Sequence, residues 1–256
     1  MHPVLGTFVD KNFYSKYSES EQVTNGDPNP EHFAQYLPGI EEKACIWMDV
    51  PYAGENPGEN SQSKYRDAEA EKIARHLKRM LEADRKAWKE NPAGKQLTFG
   101  IITFYREQVS HINEALLREE ILARDDSEHL YLNPEYRQNT RDVREIVRVG
   151  TVDAFQGMEF DIVYLSMVRS NDMAVDVTDY GSLENEKKAA VDKELQGKYG
   201  FLMFENRLCV AMSRQKKALI CVGDSKMLKG AWAVIAVEPL VAYYKLCRED
   251  AYGKVI

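Results

Sequence analysis

A chain of 256 residues, 44% of them hydrophobic, is long enough to bury one sizeable core. No stretch approaches the run of about 20 apolar residues that crosses a bilayer, and no basic segment followed by an apolar one opens the chain, so the sequence predicts a soluble, cytoplasmic protein (nuclear if eukaryotic) with no membrane partner. The formal charge of −7 argues against a uniformly basic surface. Its distribution matters more: residues 1–64 hold ten acidic and four basic side chains, residues 170–199 hold seven and four, and the remainder is slightly basic. A local basic track for an anionic polymer therefore has room outside those two segments.

Cys45, Cys209, Cys221 and Cys247 form no C-x-x-C pair, and the five histidines are scattered. Neither a zinc site nor a disulfide framework is signalled; free thiols in a reducing compartment and no metal site are expected.

In chain order, residues 18–64 read as irregular, punctuated by Asn25-Gly26-Asp27-Pro28-Asn29-Pro30, Pro38-Gly39 and Gly54-Glu55-Asn56-Pro57-Gly58 and interrupted by one short strand, Ala44 to Val50. From Asp67 to Trp88 the apolar residues Ala70, Ile73, Ala74, Leu77, Met80, Leu81, Ala87 and Trp88 recur every three or four positions, which predicts a long amphipathic helix ended by Asn91-Pro92-Ala93-Gly94. Strands are predicted at Leu97–Thr103, Ile146–Val152, Ile162–Val168 and, last, Ala218–Val222. Helical periods lie between them at Val109 to Ile121 and at about 204–213, with more beyond the last strand. Buried apolar strands alternating with amphipathic helices define the fold class: α/β, a parallel sheet with helices on both faces. In such sheets ligands gather beyond the carboxyl ends of the strands, so chemistry is sought after Thr103, Val152 and Val168. Residues 170–199 read as a partly helical surface insertion without a catalytic role.

Three segments carry chemistry. In Val149-Gly150-Thr151-Val152-Asp153-Ala154-Phe155-Gln156-Gly157-Met158-Glu159-Phe160 a buried strand ends in a turn holding a hydroxyl, two carboxylates, an amide and a glycine. Thr151 and Gln156 can hydrogen-bond phosphate oxygens, and Gly157 lets the backbone approach a ligand. In Phe204-Glu205-Asn206-Arg207-Leu208-Cys209-Val210-Ala211-Met212-Ser213-Arg214-Gln215-Lys216 the two arginines stand seven apart, which on a helix of about 3.6 residues per turn puts them on nearly one face, so that both can aim at one anion. The third is the strand-to-helix turn Gly100-Ile101-Ile102-Thr103-Phe104-Tyr105 with Arg106-Glu107-Gln108.

In this order the segments resemble motifs V and VI and the "ITPY" turn of superfamily 1B helicases, the Upf, Dna2 and NAM7-like DNA/RNA helicases. The opening Met1-His2-Pro3, with Phe8, Phe13 and Tyr14, resembles the same family's stretch entered just after its Tyr-Arg, so the chain reads as truncated upstream. Three residues depart from the pattern: Phe104 stands for proline, Cys209 for asparagine and Lys216 for arginine.

The resemblance implies a C-terminal, RecA-like domain of the P-loop NTPase type across residues 1–256. It implies Arg214 as a catalytic arginine finger, Gln156, Gly157, Glu159 and Arg207 toward nucleotide, and Thr103, Tyr105, Thr151 and Asp153 toward a single strand of DNA or RNA. No G-x-x-x-x-G-K-[ST] run exists here; Gly94-Lys95 is followed by Gln96 and Gly197-Lys198 by Tyr199. ATP and Mg2+ would therefore be held mainly by an N-terminal RecA-like domain of the same polypeptide, and the chain alone would not hydrolyse ATP. The alternatives are a non-motor binding or regulatory module that keeps the helicase fold, and an unrelated doubly wound α/β enzyme, for which no glycine fingerprint or nucleophile elbow is found.

Overall fold

Apolar runs flanked by amphipathic helices build one sheet in the computed structural model, which describes residues 1–17, 37–57, 63–138 and 145–256. The turn-forming run at 25–30, and Gly58, lie outside the described residues. The chain opens with α1 (Pro3–Val9), β1 (Cys45–Asp49), the short antiparallel pair β2 (Asn56–Pro57) and β3 (Lys64–Tyr65), and α2 (Asp67–Glu90). Next come β4 (Phe99–Thr103), α3 (Arg106–Arg118), the hairpin β5 (Leu122–Arg124) and β6 (Leu130–Leu132), β7 (Val147–Thr151) and β8 (Phe160–Ser166). The last third holds α4 (Asn185–Tyr199), α5 (Glu205–Ala211), β9 (Gln215–Gly223), α6 (Ala231–Ala236), α7 (Glu238–Glu249) and β10 (Gly253–Val255).

Six strands pair in the order β10-β1-β9-β8-β4-β7, every neighbour parallel. Alternation along each strand splits the core in two. Ile46, Met48, Phe99, Ile101, Ile162, Tyr164, Ala218 and Ile220 meet the apolar stripe of α2 and α3. Cys45, Trp47, Val163, Leu165, Leu219 and Cys221 face the other way, onto α1, α5, α6 and α7. Each such large side chain, fully buried, contributes about 1.5–3 kcal/mol. Within α2 the predicted stripe is buried from Ala70 to Leu81, whereas Ala87 and Trp88 are half-buried where the helix runs past the sheet.

The strand β10 and the β5–β6 hairpin were not predicted. Each strand is three residues long, too short for an alternation to register; β10 is held because Asp49 N donates to the Ile256 carbonyl and Ile256 N to that of Trp47. Within residues 170–199, α4 packs through buried Leu195 and Tyr199, and the Tyr199 hydroxyl donates to the Met227 carbonyl at 2.7 Å.

Midway along the apolar stripe of α2 sits a histidine. His76 is buried, with Nδ1 2.7 Å from the Tyr164 hydroxyl, and burial lowers its pKa from the usual 6.5 to about 4. A folded state that keeps this ring neutral has the resulting stability in full above pH about 6.5 and loses it as pH falls toward 4, on the order of 3 kcal/mol. Urea unfolding across that window should show the loss, and His76→Gln should flatten it. An equally steep acid limb in the variant would assign the effect elsewhere.

Candidate functional site

The segment between β7 and β8 starts with one turn of tight helix, Val152–Phe155, whose Phe155 ring is buried on the sheet. Glycine at two strand positions makes that seat: a Cβ on Gly100 would stand 3.0 Å from the Phe155 and Phe160 rings, and one on Gly150 would stand 3.2 Å from Phe155. With the ring anchored, Asp153, Gln156, Gly157, Met158 and Glu159 are left exposed. Gly157 has φ +79°, a conformation that favours glycine, and the space where a Cβ would point is open.

The helix α5, the turn after it and the start of β9 run beside this segment, and three contacts join them to it. Arg207 pairs with Asp153 at 2.9 Å and lies 5.2 Å from the Phe201 ring centre. The Arg214 guanidinium donates to the Met158 carbonyl at 3.3 Å, the Val210 carbonyl at 2.9 Å and the Ser213 hydroxyl at 2.8 Å. Lys216 lies 3.5 Å from the Glu159 carboxylate. Strand register fixes the far end, where Phe160 pairs with Gln215 and Phe160 N donates to the Arg214 carbonyl. The first residues belong there too: His2 N donates to the Lys216 carbonyl, and the Met1 sulfur accepts from Gln215.

Two expectations change. The helix ends at Ala211, so Arg214 does not share a helical face with Arg207; Met212 and Ser213 turn the chain into β9, and the two guanidiniums occupy successive places along one strip. Nor does the whole site stand beyond the carboxyl ends of the strands. Thr103 and Thr151, register partners, are there. Glu159 and Arg214 instead precede the first residues of β8 and β9, at the amino edge. A parallel neighbour forces the chain to cross back before it can pair, and the polar residues ride on that crossing. Lys216, read only as a departure from the family pattern, faces Glu159; the opposite charges at adjacent strand starts were the signal for it.

The residues read toward a nucleic-acid strand differ in access. Asp153 is exposed and Thr151 half-buried. Thr103 is 0% and Tyr105 2% exposed, and the Thr103 hydroxyl accepts from Tyr105 N at 3.5 Å, closing the turn into α3. Burial raises the Tyr105 phenol above its usual pKa, so it stays a donor. Phe104, at the proline position, is buried, and Cys209 packs against the Tyr14 hydroxyl at 3.8 Å.

Among the described residues no group of three or more His, Cys, Asp or Glu side chains is placed to hold a metal ion, and no helix is long and apolar enough to cross a membrane. The four cysteines are free thiols, and burial raises the pKa of each.

A parallel sheet covered on both faces, with arginines on the crossing that leads into adjacent strands, defines a RecA-like α/β domain. A family model described as "AAA domain" matches residues 1–226. The chain is 42% identical over 82 residues to NFX1-type zinc finger-containing protein 1 of Homo sapiens, covering 32% of this chain and 3% of that protein. It is 25% identical over 228 residues to Regulator of nonsense transcripts 1 of Caenorhabditis elegans, covering 89% and 16%. It is 29% identical over 132 residues to DNA polymerase alpha-associated DNA helicase A of Saccharomyces cerevisiae, covering 52% and 13%. Among solved structures, the C-terminal domain of a possible DNA helicase from Lactobacillus plantarum aligns over 99% of this chain and 96% of that one, with 11% identity and a TM-score of 0.39. The chain belongs to the AAA domain family, and superfamily 1B helicases are among its homologues. It spans 3% to 16% of the length of these three relatives.

Proposed function

We propose that residues 1–256 act as the second motor domain of an ATP-dependent helicase, closing on ATP held by an N-terminal RecA-like domain of the same polypeptide and gripping single-stranded DNA or RNA. The observation that carries this reading is the strip formed by Arg207, Arg214 and Lys216 beside the segment 153–159, whose polar residues are exposed. Its donors suit a polyphosphate: two guanidiniums, an ammonium and the Gln156 amide, beside open space at Gly157 where backbone can approach.

In this reading Arg214 neutralises the charge that builds on the transferring phosphoryl group, while Arg207, Gln156 and Glu159 position that group and Gly157 clears the way. Mg2+, when bound with ATP, supplies further charge neutralisation, and its ligands come from the other domain. Thr151 and Asp153 begin the same segment that ends at Glu159, so a strand held at the carboxyl edge and a nucleotide at the amino edge pull on one eight-residue crossing. That shared segment is the coupling element.

The test is ATP hydrolysis with and without single strand. This chain alone should give no turnover, and the chain joined to a phosphate-loop RecA-like domain should give strand-stimulated turnover. Strand binding without any stimulated hydrolysis in the joined protein would favour the non-motor module that keeps the helicase fold.

A further inference from the structure

A cleft opens at the carboxyl edge, away from the Arg214 strip. Its volume is about 340 Å³, and Lys64, Tyr105, Arg169, Gly200 and Phe201 line it. Arg169 is buried, and it donates through Nε and Nη2 to the Lys198 carbonyl at 3.1 and 2.8 Å and through Nη2 to that of Gly197. These bonds neutralise the carbonyls at the end of α4, which would otherwise repel an anion. The other terminal nitrogen, Nη1, lies toward Gly200: a Cβ there would be 3.2 Å from it and would collide with the Tyr105 hydroxyl. Gly200 has φ +56°, so backbone and side chain both favour glycine where α4 passes Tyr105.

The Tyr105 hydroxyl is buried and makes no hydrogen bond of good geometry among the described residues, although the Arg169 guanidinium and the Phe201 backbone N–H lie alongside. A buried polar group without a partner is costly unless something supplies one. Glu55 is the local carboxylate; it pairs with Arg169 at 3.1 Å and Lys64 at 3.4 Å, and accepts from Ser170 N at 2.6 Å. Among these paired groups two cations stand against one carboxylate. Aromatic rings continue from it: Tyr105 to Phe201 at 5.2 Å and Phe201 to Phe204 at 6.0 Å between centres, with Phe204 40% exposed. A free anion has no use for such a run, whereas bases of a single strand stack on one.

We propose that this cleft seats one backbone phosphate of a single strand, with Tyr105 and Arg169 as donors and Lys64 as the counter-charge. The site rests on the nucleic-acid reading above. It gives buried Tyr105 a route to the strand through the cleft, and it gives α4 a part in binding.

Anisotropy titrations of the 256-residue chain with labelled oligo-dT and oligo-U across a potassium chloride series test it. Tyr105→Phe should weaken binding about tenfold with the salt slope unchanged, because a hydrogen bond to a charged group is lost and no charge is. Lys64→Ala should make the slope shallower by about 0.7, one phosphate contact. Melting of Tyr105→Phe should stay close to wild type, since the lost hydroxyl makes no hydrogen bond of good geometry among the described residues. Wild-type affinity in Tyr105→Phe together with a wild-type slope in Lys64→Ala would overturn the cleft and leave the strand reading standing. No binding by the wild-type chain at low salt would overturn both. Displacement of the strand by inorganic phosphate beyond that by chloride at equal ionic strength would make the cleft a free-anion site and overturn its assignment to the strand.

Discussion

Arg214→Ala, in a polypeptide joining this chain to a phosphate-loop RecA-like domain, should lower strand-stimulated ATP turnover by at least about 10³-fold while nucleotide still binds. The geometry says why one side chain carries so much. A guanidinium has five N–H donors. Those of Arg214 make single bonds from Nε to Val210, from Nη1 to Met158 and from Nη2 to Ser213, which leaves one donor on each terminal nitrogen. That pair is the fork that grips two oxygens of a phosphoryl group, and the other three bonds hold it in place before nucleotide arrives. Arg214→Lys keeps the charge and loses both the fork and its anchoring, so it should restore only part of the rate. The three bonds lost in Arg214→Ala are partly exposed, each worth about 1 kcal/mol, so urea unfolding should show a loss of no more than about 3 kcal/mol, and turnover is compared where both proteins are folded. Single-turnover hydrolysis separates the outcomes: a rate equal to wild type would remove Arg214 from the catalytic role, and lost nucleotide binding would make it a binding residue.

How much of this was legible in sequence varies with what set each feature. Helix α2 was, because its stripe from Ala70 to Leu81 is decided by the sheet it covers. The long buried strands were, because apolar runs of five or more residues leave few other readings. The site was legible in composition and not in placement. Seven-residue spacing put Arg207 and Arg214 on one face only if the helix continued, and it stops at Ala211 because Met212 and Ser213 start the turn that aims β9. That Tyr105 is buried depends on Gly200 and Phe201 after α4, nearly a hundred residues away, and no local pattern reports it. Arg169 and Lys64 escaped for the same reason. Each looks like a solvated charge until Glu55 and the end of α4 are brought to it.

The largest expected loss of stability comes from a carboxylate at the start of α2. Glu69 is 0% exposed and Arg66 1%, and they pair at 2.9 Å. Glu69 also accepts from the Ser166 hydroxyl at 2.6 Å and from Val168 N at 2.9 Å, while Arg66 donates to the Pro51 carbonyl at 3.0 Å. Gln108 closes the network, accepting from Arg66 N at 2.8 Å and donating to Ser166 at 3.0 Å. Burial raises the Glu69 pKa against the opposing pull of Arg66, which marks how dry the site is. Glu69→Ala would leave a buried guanidinium, a hydroxyl and a backbone N–H without their acceptor, costing about 3–5 kcal/mol in urea unfolding. Glu69→Leu with Arg66→Met should recover the part of that loss due to the unpaired guanidinium, since an apolar pair carries no desolvation cost, while the Ser166 hydroxyl and Val168 N–H still lack their acceptor. The consequence reaches the cleft. Val168, a β-branched residue held at φ +66°, is fixed by Glu69 and directly precedes Arg169, so the same carboxylate sets where that guanidinium starts. The double variant should therefore regain stability while still binding single strand less tightly than wild type. Recovery of both together would show that Arg169 is positioned by α4 alone, and a Glu69→Ala loss below about 1 kcal/mol would mean that water reaches the network.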